Sequence, residues 1–138
     1  MSGKGLKHVD SHSAIHEAAL EEARELNGIL GKLVNDNQMD KALEIAYIAV
    51  EHWETRTLRH ADAEEEGLYK ELVEESPELK DEVIALTRDH DILRFLVKEI
   101  KQSLETEGFN RGVLEMLHTL VHVDAFHNQE EERILPHH

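Results

Sequence analysis

Two short stretches of the chain each place an imidazole and a carboxylate four residues apart: His60 with Glu64, and His127 with Glu131. On a helix, residues at this spacing lie on one face, with their Cβ atoms about 5–6 Å apart. A nitrogen and an oxygen from one helix can therefore bind the same divalent metal ion. Two such helices that face each other could hold two metal ions and share the carboxylates between them.

Two further histidines, His16 and His90, occupy inward positions on other predicted helices. A single histidine on an apolar face is usually a hydrogen-bonded core residue. Here one histidine points inward on each of four predicted helices, and counting residues from the turns places all four at the same depth. Burying imidazoles and carboxylates without partners would cost several kcal/mol for each group. A pair of divalent metal ions removes that penalty, which favours a metal-binding core.

The elements that must position these side chains are four amphipathic helices. Apolar residues recur with steps of three and four along four stretches, and polar or proline-containing segments separate these stretches. The predicted helices span about Val9–Val34, Met39–Glu74, Pro77–Glu105 and Arg111–Leu135. Long helices with short connections form an antiparallel up-down-up-down four-helix bundle. We therefore predict an all-α protein with a single domain over residues 1–138.

The bulk composition excludes several classes of function. The formal net charge is −15, so a nucleic-acid backbone or an anionic membrane surface would be repelled. Cysteine is absent, which excludes disulfides, thiolate metal sites and a cysteine nucleophile. The N-terminal residues do not resemble a signal peptide, and no stretch has the length of a membrane span, so we expect a cytoplasmic protein. Eleven histidines are many for 138 residues, although His137 and His138 are set aside because they could begin a purification tag.

A histidine followed by a His-x3-Glu-Glu motif occurs in each half of the chain, and this order resembles the hemerythrin-like, or HHE cation-binding, family. The resemblance covers nearly the whole chain. It implies an antiparallel four-helix bundle that holds two non-haem iron ions, bridged by two carboxylates and by an oxo or hydroxo group. Family members bind or sense O2, handle nitric oxide or sense iron. By this resemblance six side chains are the metal ligands: His16, His60, Glu64, His90, His127 and Glu131.

The chain departs from the oxygen-carrying members of that family in two places. The carriers have two histidines four apart on the third helix, but the residue four before His90 is Leu86. A pair at this spacing, His12 and His16, stands on the first helix instead, which makes His12 a further candidate ligand. With His12 bound, one coordination position stays open for O2, and without it two stay open. The fourth-helix motif ends in Glu131, whereas the carriers have an aspartate at a different spacing, so the chain resembles the broader family more closely.

Three functions stay open. The leading interpretation is a protein that binds or senses a small diatomic ligand, O2 or NO, at two iron ions. One alternative is a di-iron oxidase, peroxidase or NO-handling enzyme at the same site. The other is a zinc- or iron-binding protein without oxygen chemistry, because nitrogen and oxygen ligands do not select iron over zinc. A ferritin-like oxidase is disfavoured, since its helical motif places Glu before His. We favour a binding protein over an enzyme, and the sequence indicates no oligomeric state.

Residues beside the motifs have predicted supporting roles. Glu65 or Glu132 could reach the site as an outer hydrogen-bond partner, and Asp124, one turn before His127, could orient a ligand. The remaining histidines fall off the inward faces and are predicted to be surface residues: His8, His52, His118 and His122.

Overall fold

The computed structural model describes the backbone of residues 2–135 and the side chains of residues 13–135. Within that range the chain is helical apart from short turns, and no residue of it lies in a β-strand. The α-helices are α1 (Ser2–Asn35), α2 (Met39–His52), α3 (Arg59–Glu66), α4 (Leu68–Glu75), α5 (Lys80–Glu107) and α6 (Arg111–Ile134). The side chain of His12 lies outside the described residues, as do those of His8, His137 and His138. The prediction of an all-α protein is confirmed, and the arrangement is compatible with a helical bundle.

A hydrophobic core joins the helices. Helix α1 packs against α2 and α6, and α5 packs against α6 and α2. Core side chains such as Leu30, Ile100 and Leu117 are fully buried. The side-chain amide of Asn27, itself buried, donates a hydrogen bond of 3.2 Å to the carbonyl oxygen of Leu117, which fixes α1 against α6. None of the helices in the described part of the chain combines the length and the apolar character that a membrane span requires.

The second predicted helix is not one regular α-helix. A π-helical turn at Trp53–Leu58 separates α2 from α3, and Gly67 separates α3 from α4 with a backbone conformation (φ −116°, ψ −82°) outside the helical region. The prediction of a single helix over Met39–Glu74 is therefore wrong in its regularity. A π-turn adds a residue to the helical repeat and often occurs at functional sites. Here it immediately precedes the first His-x3-Glu motif.

The connection between α5 and α6 has the expected turn chemistry. Gly108 follows the last residue of α5 with a positive φ of 77°, a conformation that glycine adopts without steric cost. The side chain of Asn110 then accepts a hydrogen bond of 3.0 Å from the backbone N–H of Val113 and caps the start of α6. These two residues fix where α6 begins, and so fix the position of its three buried polar side chains along the bundle.

Candidate metal centre

Four of the buried ionisable side chains come together among apolar residues in the interior of the protein. Glu64 of α3, His90 of α5, and His127 and Glu131 of α6 are each at most 4 % exposed. Each occurs on the buried face of its helix, where its neighbours along that face are mostly apolar. Burying such groups costs free energy unless their charges are neutralised and their polar atoms are bonded. The fold therefore encloses a polar cluster that needs partners.

The cluster consists of two groups that share one carboxylate. Glu64, His90, His127 and Glu131 form the first group, in which one ligand atom from each residue lies within 4.8 Å of all the others. The second group meets the same distance limit and consists of His16, His60 and Glu64. The second group is half-buried at its histidines, whereas all four residues of the first are buried. Each group could hold one metal ion.

Both carboxylates divide their oxygens between the two groups. Oε1 of Glu64 lies 3.3 Å from Nε2 of His90, whereas its Oε2 lies 3.6 Å from Nε2 of His16. Oε2 of Glu131 lies 3.3 Å from Nε2 of His127, whereas its Oε1 lies 3.9 Å from Nε2 of His16. Each carboxylate thus directs one oxygen toward His16 and the other toward a histidine of the buried group.

Three of the histidines direct Nε2 into the cluster and bind an acceptor with Nδ1. Nδ1 of His90 donates to Oε2 of Glu65 at 2.7 Å, and Nδ1 of His127 donates to Oδ2 of Asp89 at 2.9 Å. Nδ1 of His16 donates to Oδ1 of Asn128 at 2.5 Å. In this tautomer the lone pair of Nε2 is available to a metal ion, and the acceptors fix the orientation of each ring.

The donor set suits a first-row transition metal ion. It consists of neutral imidazole nitrogens and carboxylate oxygens, without thiolates, and this combination is found at iron, zinc and copper sites. Hydrogen bonds from the outer nitrogen of a ligating histidine to a carboxylate or a carbonyl oxygen are a regular feature of such sites. The residues present therefore fit a metal centre.

Tyr69 completes the buried cluster and was not predicted. Its hydroxyl donates a short hydrogen bond to Oε2 of Glu131. The hydroxyl oxygen of Tyr69 also lies 3.5 Å from Nε2 of both His90 and His127. Its ring stacks on the imidazole of His90, with 5.6 Å between the ring centroids. Steps of four residues from His60 and Glu64 lead to Leu68, but the helical backbone breaks at Gly67, and Tyr69 is buried instead, at 2 % exposed.

A small cavity adjoins both groups. Its volume is about 20 Å³. A cavity needs roughly 10–15 Å³ to hold one water molecule, so there is space for one. Its lining includes the exposed side chains of Ile15 and Arg56, the buried carboxyl of Asp124 and Thr57 of the π-turn.

A comparison with protein-family models, curated proteins and solved structures found no match.

Burial and mutual contacts shift the pKa values of these groups. Burial raises the pKa of Tyr69 far above its ordinary value, and the charges of Glu64 and Glu131 raise it further, so the hydroxyl keeps its proton. Burial also raises the pKa of Asp124 to about 6, although the nearby histidines oppose the shift. Burial lowers the pKa of His127, but hydrogen bonds to Glu131 and Asp89 outweigh it and raise the pKa to about 9. A metal ion at Nε2 of His127 would displace that proton.

The structure brings together six of the seven predicted ligands. The two groups together contain six of these residues: His16, His60, Glu64, His90, His127 and Glu131. The seventh, His12, has a side chain outside the described residues, so its role stays a prediction.

The predicted supporting residues have varied positions. Glu65 bonds His90 as an outer partner, whereas Glu132 accepts a hydrogen bond of 2.6 Å from Ser13. Asp124 is buried beside the site. His118 and His122 are exposed as predicted, but His52 is half-buried, with its Nε2 2.8 Å from the carbonyl oxygen of Ala19.

The residues that accept hydrogen bonds from the ligand histidines share a sequence feature: each is adjacent in the chain to a predicted ligand. Asp89 directly precedes His90 yet bonds His127, and Asn128 directly follows His127 yet bonds His16. Glu65 follows Glu64 and bonds His90. Each acceptor is thus the chain neighbour of one predicted ligand and serves a ligand on an adjacent helix. A polar residue beside a predicted ligand is therefore a candidate outer partner.

Proposed function

We propose that this chain is a non-haem di-iron protein of the hemerythrin-like type, which binds or senses a small diatomic ligand, O2 or NO, in the core of a four-helix bundle. The observation that carries the proposal is the orientation of Glu64 and Glu131. One oxygen of each carboxylate faces His16, and the other faces His90 or His127. A single metal ion would not require both carboxylates to be divided in this way, whereas two ions that share bridging carboxylates do.

The proposal includes an antiparallel up-down arrangement of the helices. Two contacts between α1 and α6 support it. His16 contacts Asn128, and eleven residues further along α1, Asn27 contacts Leu117, which lies eleven residues earlier in α6. Residue numbers that rise on one helix while they fall on the other are typical of antiparallel neighbours in a bundle.

The two metal positions differ in how closed they are. The group around His90 and His127 is buried and carries Tyr69 as an additional polar neighbour, so it is closed by protein atoms. The group around His16 and His60 has fewer protein ligands, and its two histidines are only half-buried. An open coordination position is what a metal ion needs to take an external ligand. The ligand is therefore expected at the His16 and His60 side.

The cavity that adjoins both groups suits a small ligand. It has space for about one water-sized molecule, which is consistent with O2 or NO. Two iron ions in this site would supply reversible electron transfer to and from such a ligand. The chain's own residues would hold the imidazoles in place through Glu65, Asp89 and Asn128, and the hydroxyl of Tyr69 would keep a proton beside Glu131.

A di-iron enzyme is the second candidate, and a specific observation favours it. Asp124 is buried next to the site and its pKa is raised to about 6, which makes it a candidate proton donor for the reduction of O2 or a peroxide. A carrier or sensor needs no net proton transfer from such groups. A zinc-binding protein without redox chemistry is the third candidate, because the donor set does not exclude zinc.

One optical experiment separates the three candidates. The protein is loaded with Fe²⁺ without oxygen, and its spectrum is recorded before and after air and again after the air is removed. A charge-transfer band that appears and disappears reversibly supports the binding function. A band that decays with consumption of O2 supports the enzyme. If iron does not bind while zinc does, the di-iron proposal is wrong.

A further inference from the structure

The two histidines of the buried group donate hydrogen bonds to two carboxylates, and these carboxylates differ in their other partners. His90 donates to Glu65 at 2.7 Å and His127 donates to Asp89 at 2.9 Å, so the two bonds are alike in geometry. The carboxylates themselves are not alike. Glu65 belongs to an ion-pair network, whereas Asp89 forms no ion pair with a lysine or an arginine among the described side chains.

Arg94 is the centre of that network. Its Nη2 donates to the oxygen of Glu65 that accepts from His90, at 2.8 Å, and also to Oδ1 of Asp62 at 2.7 Å. Its Nη1 donates to Oδ1 of Asp91 at 2.9 Å. The guanidinium therefore joins α3 to α5 and places a fixed positive charge directly behind the acceptor of His90. Arginine keeps this charge at any physiological pH.

We infer that Arg94 is a positioning residue that makes His90 a weaker metal ligand than His127, so that the buried group presents unequal imidazoles to its metal ion. The inference rests on the proposed metal site. The identities of the ligands alone do not determine this difference in basicity between His90 and His127.

The physical argument follows from hydrogen-bond competition. A carboxylate that accepts from the outer N–H of a ligating histidine draws the proton toward itself and raises the basicity of the ligating nitrogen. An arginine bound to the same oxygen draws negative charge away from that hydrogen bond. His90 therefore has less imidazolate character than His127, whose acceptor keeps its full charge. Because a more basic ligand stabilises the more positive metal ion, Glu65 and Asp89 both lower the reduction potential, and Arg94 opposes the effect of Glu65.

Two substitutions, one at Arg94 and one at Asp89, should shift the reduction potential in opposite directions. In Arg94→Gln the charge of Glu65 is no longer shared, so His90 gains basicity and the reduction potential of the iron-loaded protein should fall. In Asp89→Asn the acceptor of His127 loses its charge, so the potential should rise. If Arg94 only joined α3 to α5, Arg94→Gln would loosen the site but would not lower the reduction potential in this way.

A readout that does not need redox activity is the proton NMR spectrum of the zinc-loaded protein. The hydrogen-bonded Nδ1–H resonance of His90 should move downfield in Arg94→Gln, because the hydrogen bond to Glu65 becomes stronger. The corresponding resonance of His127 should stay in place. Arg94→Lys keeps the charge and should lie closer to the wild type than Arg94→Gln in both readouts.

A double substitution shows whether the effect passes through Glu65. Glu65→Gln alone should raise the potential, and adding Arg94→Gln to it should change the potential little, because the shared acceptor charge is already gone. Arg88→Gln is the matched control. It removes one positive charge from α5 at an exposed residue that has no ion pair among the described side chains, and it should leave both readouts unchanged.

The outcomes separate this inference from the proposed function. A wild-type protein that binds neither iron nor zinc overturns both. If metal binds with the expected content, but Arg94→Gln leaves the potential and the His90 resonance where they were, or shifts them as Arg88→Gln does, only the role of Arg94 is overturned. The role of Arg94 would also be overturned if Arg94→Gln shifted the potential by the same amount in the Glu65→Gln protein as in the wild type.

Discussion

The hydroxyl of Tyr69 donates a hydrogen bond to Oε2 of Glu131 in the interior of the protein. The two residues are 62 positions apart in the chain and come from α4 and α6. The bond joins the helix that follows the first His-x3-Glu motif to the carboxylate of the second. Because Oε2 of Glu131 also faces His127, Tyr69 holds this carboxylate at the closed side of the site.

Tyr69→Phe should destabilise the protein after metal removal. The substitution removes the hydroxyl donor from a buried carboxylate oxygen, and the loss of a hydrogen bond to a charged group costs about 1.5–3 kcal/mol. Denaturant unfolding of the chelator-treated protein measures the loss. Tyr47→Phe is the matched control, since Tyr47 is 42 % exposed and should change the free energy of unfolding little. An equal effect of the two substitutions would contradict a structural role for the Tyr69 hydroxyl.

Most of the helical framework could be predicted because helix periodicity is local. The helix ends at Asn35 and at the α5–α6 turn follow from polar, glycine and capping residues that act on their immediate neighbours. His90, His127 and Glu131 are buried because each occupies a position in an apolar stripe. Those parts of the site need no knowledge of distant contacts.

The missed features depend on irregular backbone or on contacts between helices. A repeat of 3.6 residues cannot anticipate the π-turn at Trp53–Leu58, so the second helix was predicted to be regular. The break at Gly67 likewise moved burial from Leu68 to Tyr69. The pairing of Asp89 with His127 depends on how α5 and α6 face each other, which a single stripe does not encode.

His60→Ala should lower the metal content from two ions per chain toward one. His60 contributes to only one of the two groups, so the other group keeps its four ligands. Elemental analysis of the purified, reconstituted variant measures this content. His122→Ala removes an exposed histidine and serves as the control that should keep two ions. If His60→Ala also keeps two, His60 is not a ligand.

The stability of the chelator-treated protein should depend on pH through His127. Its pKa is raised from 6.5 to about 9 by Glu131 and Asp89 despite the opposing effect of burial. Because the folded-state pKa exceeds the unfolded one, the stabilisation is complete below pH 6.5 and is lost as the pH rises through 9. The contribution is on the order of 3 kcal/mol.

Denaturant unfolding of the chelator-treated protein between pH 6 and 10 measures this dependence. His127→Gln, which cannot be protonated, should show a flatter profile over the same range. Parallel profiles for the wild type and the variant would show that His127 is not the titrating group.

Metal removal should lower the melting temperature. A ligand that binds only the folded state at a concentration 1,000-fold above its Kd adds about 4 kcal/mol of stability. For a chain of 138 residues this corresponds to a shift of more than about 10 °C. Calorimetry of the loaded and the chelator-treated protein measures the shift. Coincident melting curves would contradict a metal ion bound in the core.

The central claim is that Glu64 and Glu131 bridge two metal ions, and native mass spectrometry of the reconstituted protein tests it most directly. The wild type should carry two ions per chain. Glu64→Ala should lose ions from both groups together, because Glu64 belongs to both. A wild-type chain that carries no ion, or a Glu64→Ala chain that keeps two, would contradict the account.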